Sequence, residues 1–389
     1  MPESRGKTMA AGALEELRLY LRQQPLMLVL LAVLAVISFL AVTGLSRAYH
    51  AQRDFLGDRW FARGVADLSA QHYDKAVTEF RSALLYSRDN YTYQLNLAEA
   101  LIGLKRTGEA AAYLTNLWER QPEDGLVNLE LARIAVPKGQ TEQALRHYHN
   151  AIYAAWPSDQ EGKRRDARLE LIQFLLNTRA QAQAQSELIA LQENLGDDPS
   201  QQERLGDLFL RAQDDEHALA AYQQSLKLEP ENRAALAGAG FAAFPLRRYP
   251  LAQRYLEAAV AGNPSDTQSA GLLKTTEMVL EMDPFRRPLS ASQRAKTVVS
   301  DFATAGERLK TCSPARGLAL PTASQSSLAA NWAKLRPQIV EAELRRNPDL
   351  VESAMDLVFD IERETSATCG TPTGADMALL LIAKLHEGN

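Results

Sequence analysis

An alanine followed four residues later by a large apolar side chain recurs along this chain at an almost constant interval. Ala76–Phe80, Ala110–Leu114 and Ala144–Tyr148 are 34 residues apart, and Ala184–Leu188, Ala218–Tyr222 and Ala252–Leu256 repeat that interval. The one odd step, Ala144 to Ala184, is 40 residues, and its extra residues fall on a polar insertion, SDQEGKRRD from Ser158 to Asp166. A period of this length marks a supersecondary unit too small to bury its own apolar face, so successive units must stack and share a core. Residues four apart lie on one face of a helix, and the expected fold class is all-α, built from helix–turn–helix units. Gly and Ala belong where paired helices approach most closely, with Phe, Tyr and Leu filling the seams. Prolines at 122, 199, 230 and 264 are expected to end second helices, because the ring removes a donor and clashes with the preceding turn.

At these positions the chain resembles the tetratricopeptide repeat family, whose pattern is W-x2-L-G-x2-Y, then A-x3-F, then P. The first repeat carries Trp60, Gly64, Ala76, Phe80 and Ala83, but Arg63, Asp67 and Arg88 stand where the family prefers Leu, Tyr and Pro. The fifth fits best, with Leu205, Gly206, Ala218, Tyr222 and Pro230, and with Phe209 replacing Tyr. The resemblance implies an α-solenoid of six repeats over 57–264, closed by a capping helix within 265–285. It also implies a concave groove lined by the first helix of each repeat, where a peptide or protein partner would bind. The period maps Phe61, Val65, Leu95, Glu99, Ile102, Leu129, Arg133, Glu203, Asp207, Arg211, Phe241 and Phe244 to that groove. Asn96 matches one place of the family's peptide-carboxylate clamp, but Phe61, Val65, Leu126 and Glu130 stand where its companions belong, so no such clamp is expected. Occupation of the groove by the chain's own C-terminal helices is the competing expectation.

Ahead of the repeats, Leu26 to Leu45 is a run of 20 residues without a charge. As a helix it is about 30 Å long, the thickness of a bilayer's hydrocarbon core. A single transmembrane helix over 26–45 is expected, behind an N-terminal tail, 1–25, with a short amphipathic lead-in before Pro25. A cleaved signal peptide fits less well, since 25 residues precede the run and no cleavage pattern follows it. Lys and Arg flank both ends of the span and do not fix its orientation.

Beyond residue 290 the 34-residue period stops while helical periodicity continues, so 290–389 is read as a separate C-terminal helical domain without a recognised family. Its two cysteines, Cys312 and Cys369, are placed just past the ends of two helices, where a disulfide is geometrically easy; two unpaired thiols are the alternative. A bridge requires an oxidising compartment, which favours an extracytoplasmic, periplasmic body with the N-terminus in the cytoplasm. Glu352, Asp356, Asp360 and Glu364 form an acidic stripe at four-residue spacing, read as a solvated face or a partner site.

A net charge of −5 leaves no basic field for nucleic acid. Two cysteines and six histidines, none four residues apart, give no metal pattern, and the histidines are expected to be solvated. The string Gly238 to Ala243 fits G-x-G-x-x-A but falls inside a repeat helix, where close packing explains it. No catalytic constellation, cofactor or small-molecule substrate is indicated. The expected function is a membrane-anchored scaffold binding a peptide or protein, in envelope assembly or export. The alternative is a ligand-binding or enzymatic C-terminal module for which the repeats are a docking platform.

Overall fold

In a computed structural model of the chain, residues 5–156, 158–193, 195–315 and 323–387 are described, and all regular structure among them is helical. The chain divides into two compact units, Met1–Leu171 and Ile172–Asn389.

The first unit opens with α1 (Arg5–Ser69), a single helix of 65 residues. It runs through Pro25 without a break, so the expected lead-in and the span are one helix. From Met27 to Leu45 its large apolar side chains are exposed, and over Met27–Ser69 it is long and apolar enough to cross a membrane by length and composition. Its last turns then change role and pack on α2 (Tyr73–Tyr86). There follow α3 (Tyr91–Gly103) with α4 (Thr107–Arg120), α5 (Gly125–Ala135) with α6 (Thr141–Tyr153), and α7 (Glu161–Asn177), inside which the division between units falls. Phe80, Leu97, Leu101, Leu114, Leu117 and Val127 fill the core of this stack.

The second unit continues through α8 (Gln181–Gln192), α9 (Pro199–Arg211) with α10 (Asp215–Leu228), α11 (Arg233–Ala243) with α12 (Tyr249–Gly262), and α13 (Thr267–Met282). Then come α14 (Ala291–Ala315), α15 (Ala323–Leu335), the short α16 (Glu341–Leu344), α17 (Pro348–Cys369) and α18 (Gly374–His386). These last helices share one core with the preceding repeat: Tyr249 and Val279 are buried in the same cluster as Val298, Phe302, Val358 and Ile382.

Three features recur with the sequence period. All six alanines of the repeating pair are fully buried, and their partners Phe80, Leu114, Tyr148, Leu188, Tyr222 and Leu256 are at most 4% exposed. Each turn between first and second helices carries one residue in the left-handed region: Gln71, Lys105, Gly139, Arg179, Gln213 and Arg247, with φ between 58° and 68°. Asn90, Asp124, Asp198, Asn232 and Asp266 cap first helices, each side chain accepting from a backbone N–H two or three residues on.

Several sequence expectations change here. Pro199 opens α9 at its first turn, where its missing N–H costs nothing, instead of closing a second helix. The polar insertion is helical: Ser158–Gln160 forms a 3-10 turn leading into α7, whose 17 residues exceed the 11 to 13 of α3, α5, α9 and α11. Cys312 lies within α14, not past its end, and Cys369 is the last residue of α17; they are disulfide-bonded, with Cα atoms 5.6 Å apart.

Candidate functional site

The first unit has a recess between α3, α5 and α7, with a cavity of about 170 Å³. Helical spacing builds it: Leu95 and Glu99 are four apart on α3, and Leu126, Leu129, Glu130 and Arg133 share a face of α5. Lys163 and Asp166 enter from the first turns of α7. The caps Asn90 and Asp124 fix where α3 and α5 begin, accepting from the N–H groups of Tyr93 and Val127 at 3.1 and 2.9 Å.

Charge in the recess centres on Arg133. Its guanidinium donates to Glu170 through Nε at 3.0 Å and a terminal nitrogen at 2.6 Å, and to Glu130 at 2.5 Å. Glu130 is buried, and burial pushes its carboxyl above the ordinary range, with Arg133 pulling the other way. The paired fork holds Arg133 ionised and well above its ordinary value, through Glu170 first. Glu99 stays exposed at the rim, as do Lys163 and Asp166. The recess thus offers an apolar floor of Leu95 and Leu129, both nearly buried, under a rim carrying both signs of charge. Such a lining suits an extended segment with alternating apolar and polar side chains.

Four of the sequence-derived groove residues, Leu95, Glu99, Leu129 and Arg133, therefore meet in one place. The others in this unit serve packing. Phe61 stacks on Tyr93 with ring centres 5.0 Å apart, and Val65 and Ile102 lie against the same core. In the second unit, Glu203 accepts from Asn232 at 2.8 Å and Asp207 accepts from the Tyr222 hydroxyl at 2.6 Å. Arg211 is exposed, Phe241 is half-buried, and Phe244 packs on the core that includes the C-terminal helices. Sequence reasoning missed Lys163, Asp166 and Glu170 because the period breaks where α7 begins. Of the histidines expected to be solvated, His50, His72 and His149 are exposed, while three are half-buried. His147 bonds Asn128 at 2.9 Å and is held below its ordinary value by burial, His217 bonds Asp214 at 2.9 Å, and His386 bonds Asp283 at 3.1 Å. Among the described residues no three His, Cys, Asp or Glu side chains are grouped to hold a metal ion.

Residues 67–134 match the family model described as Tetratricopeptide repeat. Among solved structures the chain is similar to YrrB, described as a TPR protein with an unusual peptide-binding site, at 16% identity and a TM-score of 0.40, covering 49% of this chain and 95% of that one. It is similar to the C-terminal part of a TPR repeat-containing protein from Cytophaga hutchinsonii at 15% identity and a TM-score of 0.43, over 62% and 94% of the two chains. For pilF of Pseudomonas aeruginosa the values are 17% and 0.30, over 59% and 86%. No curated protein matches the chain.

Proposed function

Because residues 67–134 carry tetratricopeptide repeats, we propose that this chain is a non-catalytic scaffold, held to a membrane by α1, that receives a segment of a partner peptide or protein. The observation that carries the reading is the convergence of Leu95, Glu99, Leu129 and Arg133 from successive first helices on one recess. A bound segment would lay an apolar side chain on Leu95 and Leu129. Its backbone or polar groups would reach Glu99, Lys163 and Asp166 at the rim. Arg133 is already engaged by two carboxylates and acts as the strut between α5 and α7.

Anchoring supplies the second part of the mechanism. A tether confines the recess to the membrane surface and raises the effective concentration of a membrane-linked partner without any new contact. A disulfide between α14 and α17 is consistent with an oxidising compartment, so the body is proposed to be extracytoplasmic and periplasmic, with the N-terminus in the cytoplasm and a role in envelope assembly or export.

The test is photo-crosslinking in native membranes, with a photoreactive side chain placed at position 99 and, as control, at half-buried Ser82 on α2, outside the recess. A discrete adduct from position 99 and none from position 82 supports the reading. The same adducts from both positions would falsify it.

A further inference from the structure

The second unit contains a cleft that the repeats do not explain. It lies beside α17 and the end of α18, with a cavity of about 680 Å³, a size common among ligand sites. Phe285, from the linker after α13, meets the His386 ring edge-on at 4.9 Å, and Phe359 stacks on that ring at 6.4 Å. An aromatic floor therefore lies under the opening.

The walls are acidic. Glu352 and Asp356, one turn apart on α17, line the cleft exposed, and neither forms a hydrogen bond or ion pair with the described residues. Glu387 lies at the far side and takes one nitrogen of Arg363 at 3.2 Å, while another nitrogen of Arg363 bonds Asp360 at 2.6 Å. Three lining carboxylates thus face a single guanidinium, and that guanidinium is shared with a fourth.

A separate feature points the same way. The opening sits at the C-terminal end of α18, the negative end of the helix dipole, whose last turn carries Lys384 and His386. That helix end already holds one arginine: Arg247 donates to the Lys384 carbonyl oxygen. Anions are repelled by such a surface, and an ammonium lacks the planar fork that grips a carboxylate with two parallel N–H groups. A guanidinium can stack on Phe rings and bond a carboxylate with two parallel N–H groups.

We infer that this cleft is a second recognition site, distinct from the recess of the repeats, for an arginine side chain on a basic peptide segment. Resident Arg363 is placed to compete with that side chain for Glu387. The inference does not depend on the repeats binding anything.

The test uses the full chain in lipid nanodiscs and a short fluorescein-labelled peptide of alternating arginine and alanine, followed by fluorescence anisotropy. The peptide should bind, its glutamate counterpart should not, and added salt should weaken binding. Glu352→Gln combined with Asp356→Asn should weaken it roughly ten-fold or more, since two charge-assisted bonds are lost. Arg363→Gln should tighten it, because the competitor is gone. All three positions are exposed, so the fold is preserved. Equal binding of both peptides, or an unchanged affinity in the Glu352/Asp356 variant, overturns the inference. Loss of binding in Glu99→Gln instead places the peptide in the repeat recess and overturns it as well.

Discussion

Tyr222 shows how narrowly single residues are fitted. Its ring lies where a Cβ on Gly206 or on Gly238 would stand, so one tyrosine is received by glycines of two successive first helices. Gly238→Ala forces that ring aside, and overpacking of this kind costs about 1–3 kcal/mol; urea denaturation should register the loss, while the exposed Ala234 position on the same helix tolerates Ser. Two buried carboxyls set a pH dependence. Asp301, near Asp283, and Glu362, near Asp376 and partly relieved by Arg308, are both pushed up to about 8, chiefly by burial. Their folded values lie above the unfolded value of about 4, so the folded state holds these protons more tightly. The stability they allow is complete below that unfolded value and is lost progressively as pH rises toward 8. Melting temperature should therefore fall between acid and mildly alkaline pH, and Asp301→Asn with Glu362→Gln should flatten the slope; an unchanged slope would contradict the assignment. The Ala-x3-large pairs were legible in the sequence because burial on both sides of a helix permits nothing else there. Glu362 and Asp301 were not, since an acidic residue in a helical pattern reads as solvent-facing.

Among elements, the turn between paired helices is the clearest repeated device. A left-handed residue closes each of six turns, yet only Gly139 is a glycine. A side chain in that region costs on the order of 1 kcal/mol, partly offset by the greater unfolded freedom of glycine. Gln213→Gly is therefore expected to be neutral or stabilising in thermal melts, and Gly139→Ala destabilising. Caps offer the opposite test: Asp124→Ala removes the acceptor for both the Val127 N–H and the Tyr91 hydroxyl, and should cost about 1–2 kcal/mol. Helix pairing was legible from period alone, but boundaries were not. The polar insertion at 158–166 breaks the period without ending the helical fold, since polar residues suit the exposed first turns of α7. The helix α14 runs on past Lys310 because Cys312, 1% exposed, faces inward and continues the buried stripe of Phe302, Ala305 and Leu309.

For the molecule as a whole, the join between the apolar run and the repeat-forming sequence is a continuous helix: α1 leaves the apolar run at Leu45 and reaches Arg53, whose guanidinium bonds the Tyr86 carbonyl oxygen at 2.5 Å. No loop separates the apolar run from the first repeat, so the proposed anchor would position that repeat directly. The C-terminal helices, legible as helices and weighed as occupants of the groove, bury Tyr249 and Val279 with their own core and pack against the groove position Phe244. Their staple is the disulfide, whose loop of 57 residues contributes about 4 kcal/mol in the chain-entropy model. Cys312→Ala with Cys369→Ala should lower the melting temperature of the second unit and leave the first unchanged. Within the recess, the groove positions on α3 and α5 followed from the period, and those on α7 escaped it because six inserted residues shift the register.

The central proposal is that a partner segment lies across Leu95, Glu99, Leu129 and Arg133. Its most direct measurement is calorimetric titration of the crosslinked partner's isolated segment into the full chain and into Glu99→Arg, an exposed charge reversal that leaves the core intact. The account predicts affinity reduced roughly ten-fold or more at unchanged melting temperature, and equal affinity for the two proteins would contradict it.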